Sequence, residues 1–254
     1  MTGKLKSGSS IEIFETLDST SLEAKRRALS GARGPVWIIA LKQTAGYGRR
    51  GSAWTQAEGD LAATLLFEPD APAERIAELS FVSALGVYDA VRRCAPDAPV
   101  AVKWPNDILL GGAKIAGLLL ELIAAGRAPV VALGVGINIV SAPQGLAYPS
   151  ARLIDHSRIR VPDPRGLVSI VDECLFAWLD IWRRGGFAAI RNEWLGKAAS
   201  LGETITVSLP GETIEGVFAD LDLSGALILD CAGVRRKIAA GAILPPLRET
   251  SRRE

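Results

Sequence analysis

The segment from residue 100 to residue 140 constrains the fold most, because its four apolar runs leave too little sequence between them for helices. The runs are VAVKW, DILL, AKIAGLLLELI and APVVALGVGINIV, and the pair Gly111-Gly112 separates the second from the third. Two glycines between apolar runs are typical of a tight β-hairpin. Pro105 ends the first run, since it disfavours a helical Trp104. The segment therefore predicts neighbouring strands of one mostly antiparallel sheet.

The rest of the chain carries recognisable strand and helix patterns. Further strands are predicted at 11–17, 36–43 and 61–69. Helices are predicted within 18–31, at 73–95 and, in two pieces broken at Gly185-Gly186, within 164–198. From about residue 199, short strands with turns at PGE, DLSG and CAG are typical of an all-β barrel of roughly 50 residues. We therefore predict an α+β fold: a mixed, mostly antiparallel sheet flanked by helices, with a small C-terminal β-barrel.

Composition excludes several classes of function. The 254 residues include 29 Lys+Arg and 28 Asp+Glu, so the net charge of +1 offers no bulk attraction to nucleic acid or to a membrane surface. A single histidine, His156, leaves little material for histidine metal sites or Ser-His triads. Cys94, Cys174 and Cys231 lie far apart, as reduced thiols in a cytoplasmic protein would. No signal peptide or membrane span is predicted.

Residues 46–51 read GYGRRG and fit the G-x-G-x-x-G fingerprint of dinucleotide-binding proteins. That fingerprint requires a helix after the loop, because the pyrophosphate binds at the helix N-terminus. Only SAWTQAEGD lies between Gly51 and the next strand at Leu61, which is too short for a helical crossover. A Walker P-loop also fails, since Ser52 follows where a lysine is needed.

The two arginines of this loop offer a different way to hold an anion. Consecutive backbone N–H groups of a glycine loop can converge on an anion, and Arg49 and Arg50 add forked, permanently charged donors. The alternative is a glycine-rich surface turn with two solvated arginines. The loop alone does not decide between them.

A second polar cluster lies in residues 103–117, KWPNDILLGGAKIAG. Gly117 inside an apolar strand costs packing and indicates that another group approaches the backbone closely. GVGIN at 134–138 repeats that feature. Turn preference explains each residue singly, but together they form a set suited to an anionic ligand. The set comprises Lys103, Lys114, Asn106, Asp107, Gly117 and Asn138.

These motifs, in this order and spacing, resemble the core motifs of biotin–protein ligases. The resemblance rests on KQTAGYGRRGSAW, KWPNDILLGGAKIAGLLLE and GVGIN, while GVFADLDLSGALIL resembles the SH3-like terminal domain of that family. It spans roughly residues 11–245. It implies a monofunctional member that begins at the catalytic domain, without an N-terminal helix-turn-helix, so DNA binding is not expected. The domains implied are a flexible tail (1–10), a catalytic biotin/ATP-binding domain (11–198), the barrel (199–248) and a polar tail (249–254).

The resemblance implies a two-step reaction. Biotin carboxylate attacks the α-phosphate of ATP, with Mg²⁺ present, and biotinyl-5'-AMP and pyrophosphate form. A lysine of the partner, the biotin carboxyl carrier domain of a biotin-dependent carboxylase, then takes the biotinyl group. Both attacking groups come from the substrates, so the enzyme mainly positions anions and neutralises charge, and the scarcity of nucleophiles in the sequence is expected.

The resemblance also implies residue roles. As catalytic residues, Arg49 orders the glycine loop and restrains the adenylate, and Lys114 bridges the biotin carboxylate and the phosphate. The biotin-binding set is Ser19, Thr20, Gln43, Tyr47, Gly48, Arg49, Lys114, Gly117 and Gly134. The ATP- and adenylate-binding set is Arg49, Arg50, Trp54, Lys103, Asn106, Asp107 and Asn138, with Asp107 also orienting the magnesium-triphosphate indirectly.

Two positions depart from the family pattern. Ser21 stands where asparagine is usual, and Tyr47 stands in place of an arginine. Loss of that cation leaves two alternatives: looser retention of the adenylate, or stacking of Tyr47 on it.

Three other functions stay open at this point: a lipoate–protein ligase-type transferase, a nicotinamide oxidoreductase suggested only by GYGRRG, and a non-enzymatic nucleic-acid module. An exposed edge strand would support a homodimer.

Overall fold

The computed structural model describes residues 4–124, 128–145, 148–158 and 160–244, which form two sheets and three α-helices. The strands of the first sheet are β1 (Ser10–Leu17), β2 (Val36–Gln43), β3 (Leu61–Phe67), β4 (Val100–Lys103), β5 (Asp107–Leu110), β6 (Ala113–Ala124) and β7 (Val130–Ile137). Those of the second are β8 (Thr204–Leu209), β9 (Glu212–Leu221), β10 (Leu227–Cys231), β11 (Val234–Ile238) and β12 (Ala242–Ile243). The helices are α1 (Thr20–Leu29), α2 (Leu79–Cys94) and α3 (Pro164–Leu195).

The first sheet has the strand order β1-β2-β3-β7-β6-β5-β4. Only β1 and β2 pair in parallel, joined through α1, and each of the other five pairings is antiparallel. Gly111 and Gly112 turn between β5 and β6 with φ of 58° and 79°. The predicted mixed, mostly antiparallel sheet is therefore confirmed.

Helices cover both faces of this sheet. Ile38 packs with Ala24 and Ala28 of α1, whereas Trp37 and Ile39 belong to the larger core that includes α2 and α3. Successive residues of a strand point to opposite faces, so a strand buried on both sides reads as a continuous apolar run. This is why β2 begins with VWIIA.

The helix predictions hold with small changes. A 3₁₀ turn at Ala73–Glu78 precedes α2, so the segment 73–95 is helical in two parts. Helix α3 is interrupted at Gly186, whose φ of 66° and ψ of −171° are not helical, and the predicted break at the glycine pair is present. Within the described residues, no helix is both long and apolar enough to cross a bilayer.

The C-terminal module is a five-stranded antiparallel sheet in the order β11-β10-β9-β8-β12, with Val207, Phe218 and Leu229 fully buried. The predicted short strands are present. The expected SH3-like barrel is not confirmed, because β11 and β12, at the two ends of the strand order, do not pair within the described residues.

Residues 4–9, within the predicted flexible tail at 1–10, form a turn that leads into β1, and the flexibility of the tail stays a prediction. Leu5 N–H donates to the Ser9 carbonyl at 2.8 Å, and Lys4 bridges to Ser10 at the start of β1. Ser9 is fully buried, which fixes the turn against the sheet. The limits drawn at residues 11–198 and 199–248 stay predictions, and the polar tail at 249–254 lies outside the described residues.

Candidate functional site

A cavity of about 240 Å³ lies on the sheet face between the start of α1, the glycine-rich loop and Gly241 of the C-terminal module. Thirteen of the fifteen residues predicted from the sequence line it: Ser19, Thr20, Gln43, Tyr47, Gly48, Arg49, Arg50, Trp54, Asn106, Asp107, Lys114, Gly117 and Gly134. The other two, Lys103 and Asn138, do not. Segments far apart in the chain therefore meet at one site.

The start of α1 gives the cavity a hydroxyl-rich end. Ser19 caps the helix, its side chain accepting from Ser21 N–H. The Thr20 N–H and hydroxyl both donate to Gln43 Oε1, at 2.8 and 3.2 Å, and the Thr64 hydroxyl donates to Thr20 Oγ1 at 2.8 Å. These partners hold the hydroxyls at the start of α1 in position to bind a polar ligand.

The glycine-rich loop is a short hairpin formed by residues 46–54, which we call the glycine hairpin. Tyr47 bridges to Ala53, Gly48 N–H donates to the Ser52 carbonyl at 2.7 Å, and Trp54 N–H donates to the Gly46 carbonyl at 2.9 Å. A 3₁₀ turn at Arg49–Gly51 forms its tip. No α-helix follows the hairpin before β3, so the dinucleotide-binding interpretation lacks its structural basis.

Arg49 connects the hairpin tip to two other parts of the site. Its guanidinium lies 3.4 Å from Asn106 Oδ1 and 3.5 Å from the Gly241 carbonyl. Burial lowers the pKa of Arg49, the charge of Arg50 lowers it further, and Asp107 opposes both. The guanidinium remains charged at neutral pH. Its two long contacts leave donors available to an anion.

Lys114 lies at the centre of the site on β6. Its Nζ is 2.7 Å from Asp107 Oδ1, and both side chains are largely buried. The Tyr148 ring lies 5.1 Å from this ammonium and the Trp54 ring 5.8 Å. Lys103 approaches the same tyrosine ring at 5.8 Å, and burial lowers its pKa, with Asp107 opposing that shift and Lys114 adding to it. Lys103 is thus a second cation near the Tyr148 ring, beside Lys114.

Three glycines leave space for the Trp54 ring and for the cavity. A Cβ on Gly136 would lie 2.3 Å from the ring, and one on Gly117 would lie 3.0 Å from it. A Cβ on Gly134 would approach the Ser21 hydroxyl at 3.0 Å. The Trp54 indole N–H is buried and finds no acceptor among the described residues.

Asn138 lies beside the main cavity, and its part in the nucleotide pocket stays a prediction. It is buried, its amide donates to the Ala151 carbonyl at 3.1 Å, and its backbone N–H donates to the Ile115 carbonyl at 2.9 Å. It borders a smaller cavity of about 40 Å³ that also touches Trp54 and Lys114. Its side chain therefore supports the wall next to the main cavity.

Sequence reasoning missed Asp60 and Tyr148. One carboxylate oxygen of Asp60 accepts from the backbone N–H groups of Ile139, Val140 and Ser141, at 2.8, 2.8 and 3.1 Å. This contact fixes the chain after β7. The position of Asp60 directly before an apolar strand was a usable sequence signal. Tyr148, an isolated tyrosine in a loop, carried none.

The oxygen donors of the site suit a magnesium ion that arrives on a triphosphate. Asp107 and the Asn106 amide both line the cavity. Magnesium in nucleotide sites is bound by one or two carboxylates together with the phosphates. The described residues contain no cluster of three or more metal-ligating side chains. The donor set fits a nucleotide-borne ion and not a dedicated protein metal site.

Comparison with known proteins gives consistent matches. Residues 13–138 match the Biotin/lipoate A/B protein ligase family, and residues 200–244 match the Biotin protein ligase C terminal domain. The chain is 40% identical over 232 residues to the biotin--[acetyl-CoA-carboxylase] ligase of Paracoccus denitrificans, covering 89% of this chain and 96% of that protein. It is 31% identical to the same-named ligase of Mycobacterium tuberculosis, covering 92% and 88%.

Solved structures share the fold. Biotin protein ligase from Aquifex aeolicus in complex with biotin and ATP superposes with a TM-score of 0.77 at 24% identity, covering 92% of this chain and 97% of that one. The Leishmania major enzyme in complex with biotinyl-5-AMP gives 0.67 at 25% identity, covering 91% and 98%. With both domains matched and most of its length aligned, the chain belongs to the biotin protein ligases of the biotin/lipoate A/B protein ligase family.

Proposed function

We propose that this protein is an ATP-dependent biotin–protein ligase, which activates biotin as biotinyl-5'-AMP and transfers it to a lysine of a biotin carboxyl carrier domain. One observation carries the proposal: Arg49 and Lys114 line the same cavity, next to the hydroxyl-rich start of α1. The naming of the Paracoccus relative supports a carboxylase carrier as the acceptor.

In the first step a carboxylate oxygen of biotin attacks the α-phosphorus of ATP. The bond to the bridging oxygen breaks, and pyrophosphate leaves with that electron pair. Negative charge grows around the phosphorus, where the Lys114 ammonium would stabilise it. Asp107, 2.7 Å from Lys114 Nζ, would hold the ammonium in place and orient the magnesium that accompanies the triphosphate.

In the second step the amine of the acceptor lysine attacks the acyl carbon of the adenylate. The carbon–oxygen bond to the phosphate breaks, AMP leaves, and the amine loses a proton as the amide forms. Arg49, through its spare donors, would hold the adenylate until the acceptor arrives. A hairpin closed over the mixed anhydride would protect it from hydrolysis.

The other cavity residues receive roles in the same proposal. Ser19, Thr20 and Gln43 would bind the polar groups of biotin, and the backbone at Gly48, Gly117 and Gly134 would meet the ligand. Trp54, with its buried N–H, and Arg50 and Asn106 would contact the nucleotide, backed by Lys103. Cytoplasmic location, a possible homodimer and the absence of DNA binding stay predictions.

The alternatives fare less well. A match to the biotin ligase C-terminal domain favours biotin over lipoate. The nicotinamide interpretation has no helix after the glycine hairpin to bind a pyrophosphate. A nucleic-acid module would need a basic surface that the near-neutral charge does not provide.

The decisive experiment is transfer of labelled biotin onto a carrier domain with ATP and magnesium. We expect label on the carrier only when its acceptor lysine is present and ATP is added. A carrier with that lysine changed to alanine, and labelled lipoate in place of biotin, are the controls. Labelling by lipoate alone would overturn the proposal in favour of the lipoate–protein ligase reaction.

A further inference from the structure

Three side chains from separate parts of the fold meet at one edge of the cavity. The Tyr47 hydroxyl, on the glycine hairpin, donates to Glu121 Oε2 of β6 at 2.9 Å. Lys25 of α1 donates to the other oxygen of the same carboxylate at 3.0 Å. Glu121 therefore ties the hairpin both to the sheet and to the helix.

The surroundings of this contact favour a persistent hydrogen bond. Tyr47 lines the cavity and Glu121 does not, so the ring forms part of the wall while the hydroxyl reaches past it. The Glu121 side chain is 20% exposed and that of Lys25 is 41% exposed. Burial raises the pKa of the Tyr47 phenol, and its bond to Glu121 raises it further, which keeps the hydroxyl protonated as a donor.

The glycine hairpin is held less firmly elsewhere. Among the described hydrogen bonds from hairpin side chains to the rest of the molecule, that of Tyr47 is the shortest, whereas the two bonds of Arg49 measure 3.4 and 3.5 Å. A hydrogen bond with a charged partner is also stronger than one between neutral groups. Among polar contacts, the attachment of the hairpin to the sheet therefore depends mainly on Tyr47, beside the packing of the Trp54 ring on Gly117 and Gly136.

We propose that Tyr47, Glu121 and Lys25 form a latch that holds the glycine hairpin over the cavity, with Tyr47 as its positioning residue. The latch slows escape of the activated intermediate, a consequence that rests on the proposed function. At Tyr47, where the family pattern has an arginine, the chain uses an uncharged donor that bonds a carboxylate of its own sheet. The hydroxyl of Tyr47 bonds the protein, while its ring remains part of the cavity wall.

The latch is tested without any substrate by cleavage with an arginine-specific protease, which cuts after Arg49 and Arg50 when the hairpin opens. Cleavage of a transiently open segment tracks the open population. We expect Tyr47→Phe to speed cleavage about tenfold, as loss of one hydrogen bond to a charged group implies. Lys25→Met should give about twofold, since half-exposed ion pairs contribute little.

Matched variants separate the latch from general loosening. Tyr88→Phe, on α2, and Lys197→Met, whose lysine pairs with Glu193, should cleave at the wild-type rate. Glu121→Gln keeps an acceptor oxygen for the hydroxyl but removes its charge, so its cleavage rate should lie between those of Lys25→Met and Tyr47→Phe. Thermal unfolding of every variant checks the fold. A wild-type cleavage rate in Tyr47→Phe would overturn the latch.

The consequence for the intermediate is tested by release of labelled biotinyl-adenylate into an unlabelled chase. We expect about tenfold faster release from Tyr47→Phe than from wild type or Tyr88→Phe, the same factor as for hairpin opening. Faster cleavage with unchanged release would overturn the role in retention. If wild type forms no adenylate from biotin, the proposed function fails, while the protease comparison still decides on the latch.

Discussion

The two catalytic candidates, Lys114 and Arg49, share one cavity but are held in different ways. Lys114 belongs to a strand, its N–H donates to the Pro149 carbonyl at 2.9 Å, and its ammonium pairs with Asp107 at 2.7 Å. Arg49 lies at the tip of a hairpin and makes contacts of 3.4 and 3.5 Å. We therefore propose a division of labour: Lys114, the fixed cation, would act in bond making, and Arg49, the adjustable cation, would act in retention of the adenylate.

The same contrast applies to the backbone around each residue. The β5–β6 hairpin is paired on both sides within the sheet, between β4 and β7, and its apolar residues Ile108 and Ile115 are fully buried. The glycine hairpin has its own short ladder and no buried residue in its tip. Segments with few buried contacts open at lower free-energy cost than core strands. A functional loop that must open to admit substrates is expected to have few buried contacts, as the glycine hairpin does.

The largest effect should come from Lys114→Ala. Loss of a donor that stabilises transition-state charge typically costs about 10²-fold or more in rate, so adenylate formation should fall by at least that factor. Pyrophosphate release with biotin and ATP is the measurement, and Lys42→Ala, an exposed lysine on β2, is the control. Near-normal pyrophosphate release by Lys114→Ala would show that the fixed cation is not used for bond making.

The second largest effect should come from Gly136→Ala. Its Cβ would lie 2.3 Å from the Trp54 ring, so the ring must shift within the site. Overpacking of this kind costs about 1–3 kcal/mol, and we expect the KM for ATP to rise about tenfold. Gly196→Ala, where the added Cβ meets only ordinary contacts of 3.7 Å, is the matched control. An unchanged KM for ATP would show that Trp54 does not contact the nucleotide.

Arg49→Gly should have a smaller effect, and on a different step. Its described contacts are long, so removal should cost about 1 kcal/mol, or roughly fivefold faster release of the adenylate, while adenylation continues. Labelling of non-cognate lysines measures the escape, with Arg158→Gly, at an 84% exposed arginine, as control. If Arg49→Gly labels no more of these lysines than wild type, the retention role of the adjustable cation is wrong.

The β5–β6 hairpin was also easier to predict from the sequence than the glycine hairpin. Continuous apolar runs and the Gly111-Gly112 turn encode local structure, so the β5–β6 hairpin and its sheet followed from the sequence. Trp54 and Gly136, which are in contact, lie 82 positions apart in the chain, so no local sequence pattern encodes their contact. The hydrogen bond from the Asn138 amide to the Ala151 carbonyl is another contact that no local pattern indicates.

The barrel predicted for the C-terminal module is not confirmed, and the reason is physical. Turn residues and alternating strands specify neighbouring pairings, and these are present from β8 to β11. Whether the first and last strands of a sheet meet depends on its accumulated twist and strand stagger, which are properties of the whole sheet. Short-range patterns therefore fix the strands without fixing the barrel.

The smallest effect on activity is expected from Trp104→Phe, which tests how far the fixed region extends. Trp104 is 2% exposed, and its indole N–H donates to the Gly225 carbonyl of the C-terminal module at 3.2 Å. Loss of this buried bond should lower the free energy of unfolding by about 1–2 kcal/mol, because the carbonyl loses its partner. Thermal unfolding measures that loss, and rates of adenylation should change less than about twofold, a difference of under ~0.5 kcal/mol. A fall in adenylation of about tenfold or more would mean that the C-terminal module helps to align Lys114, and the fixed region would then have to include that module.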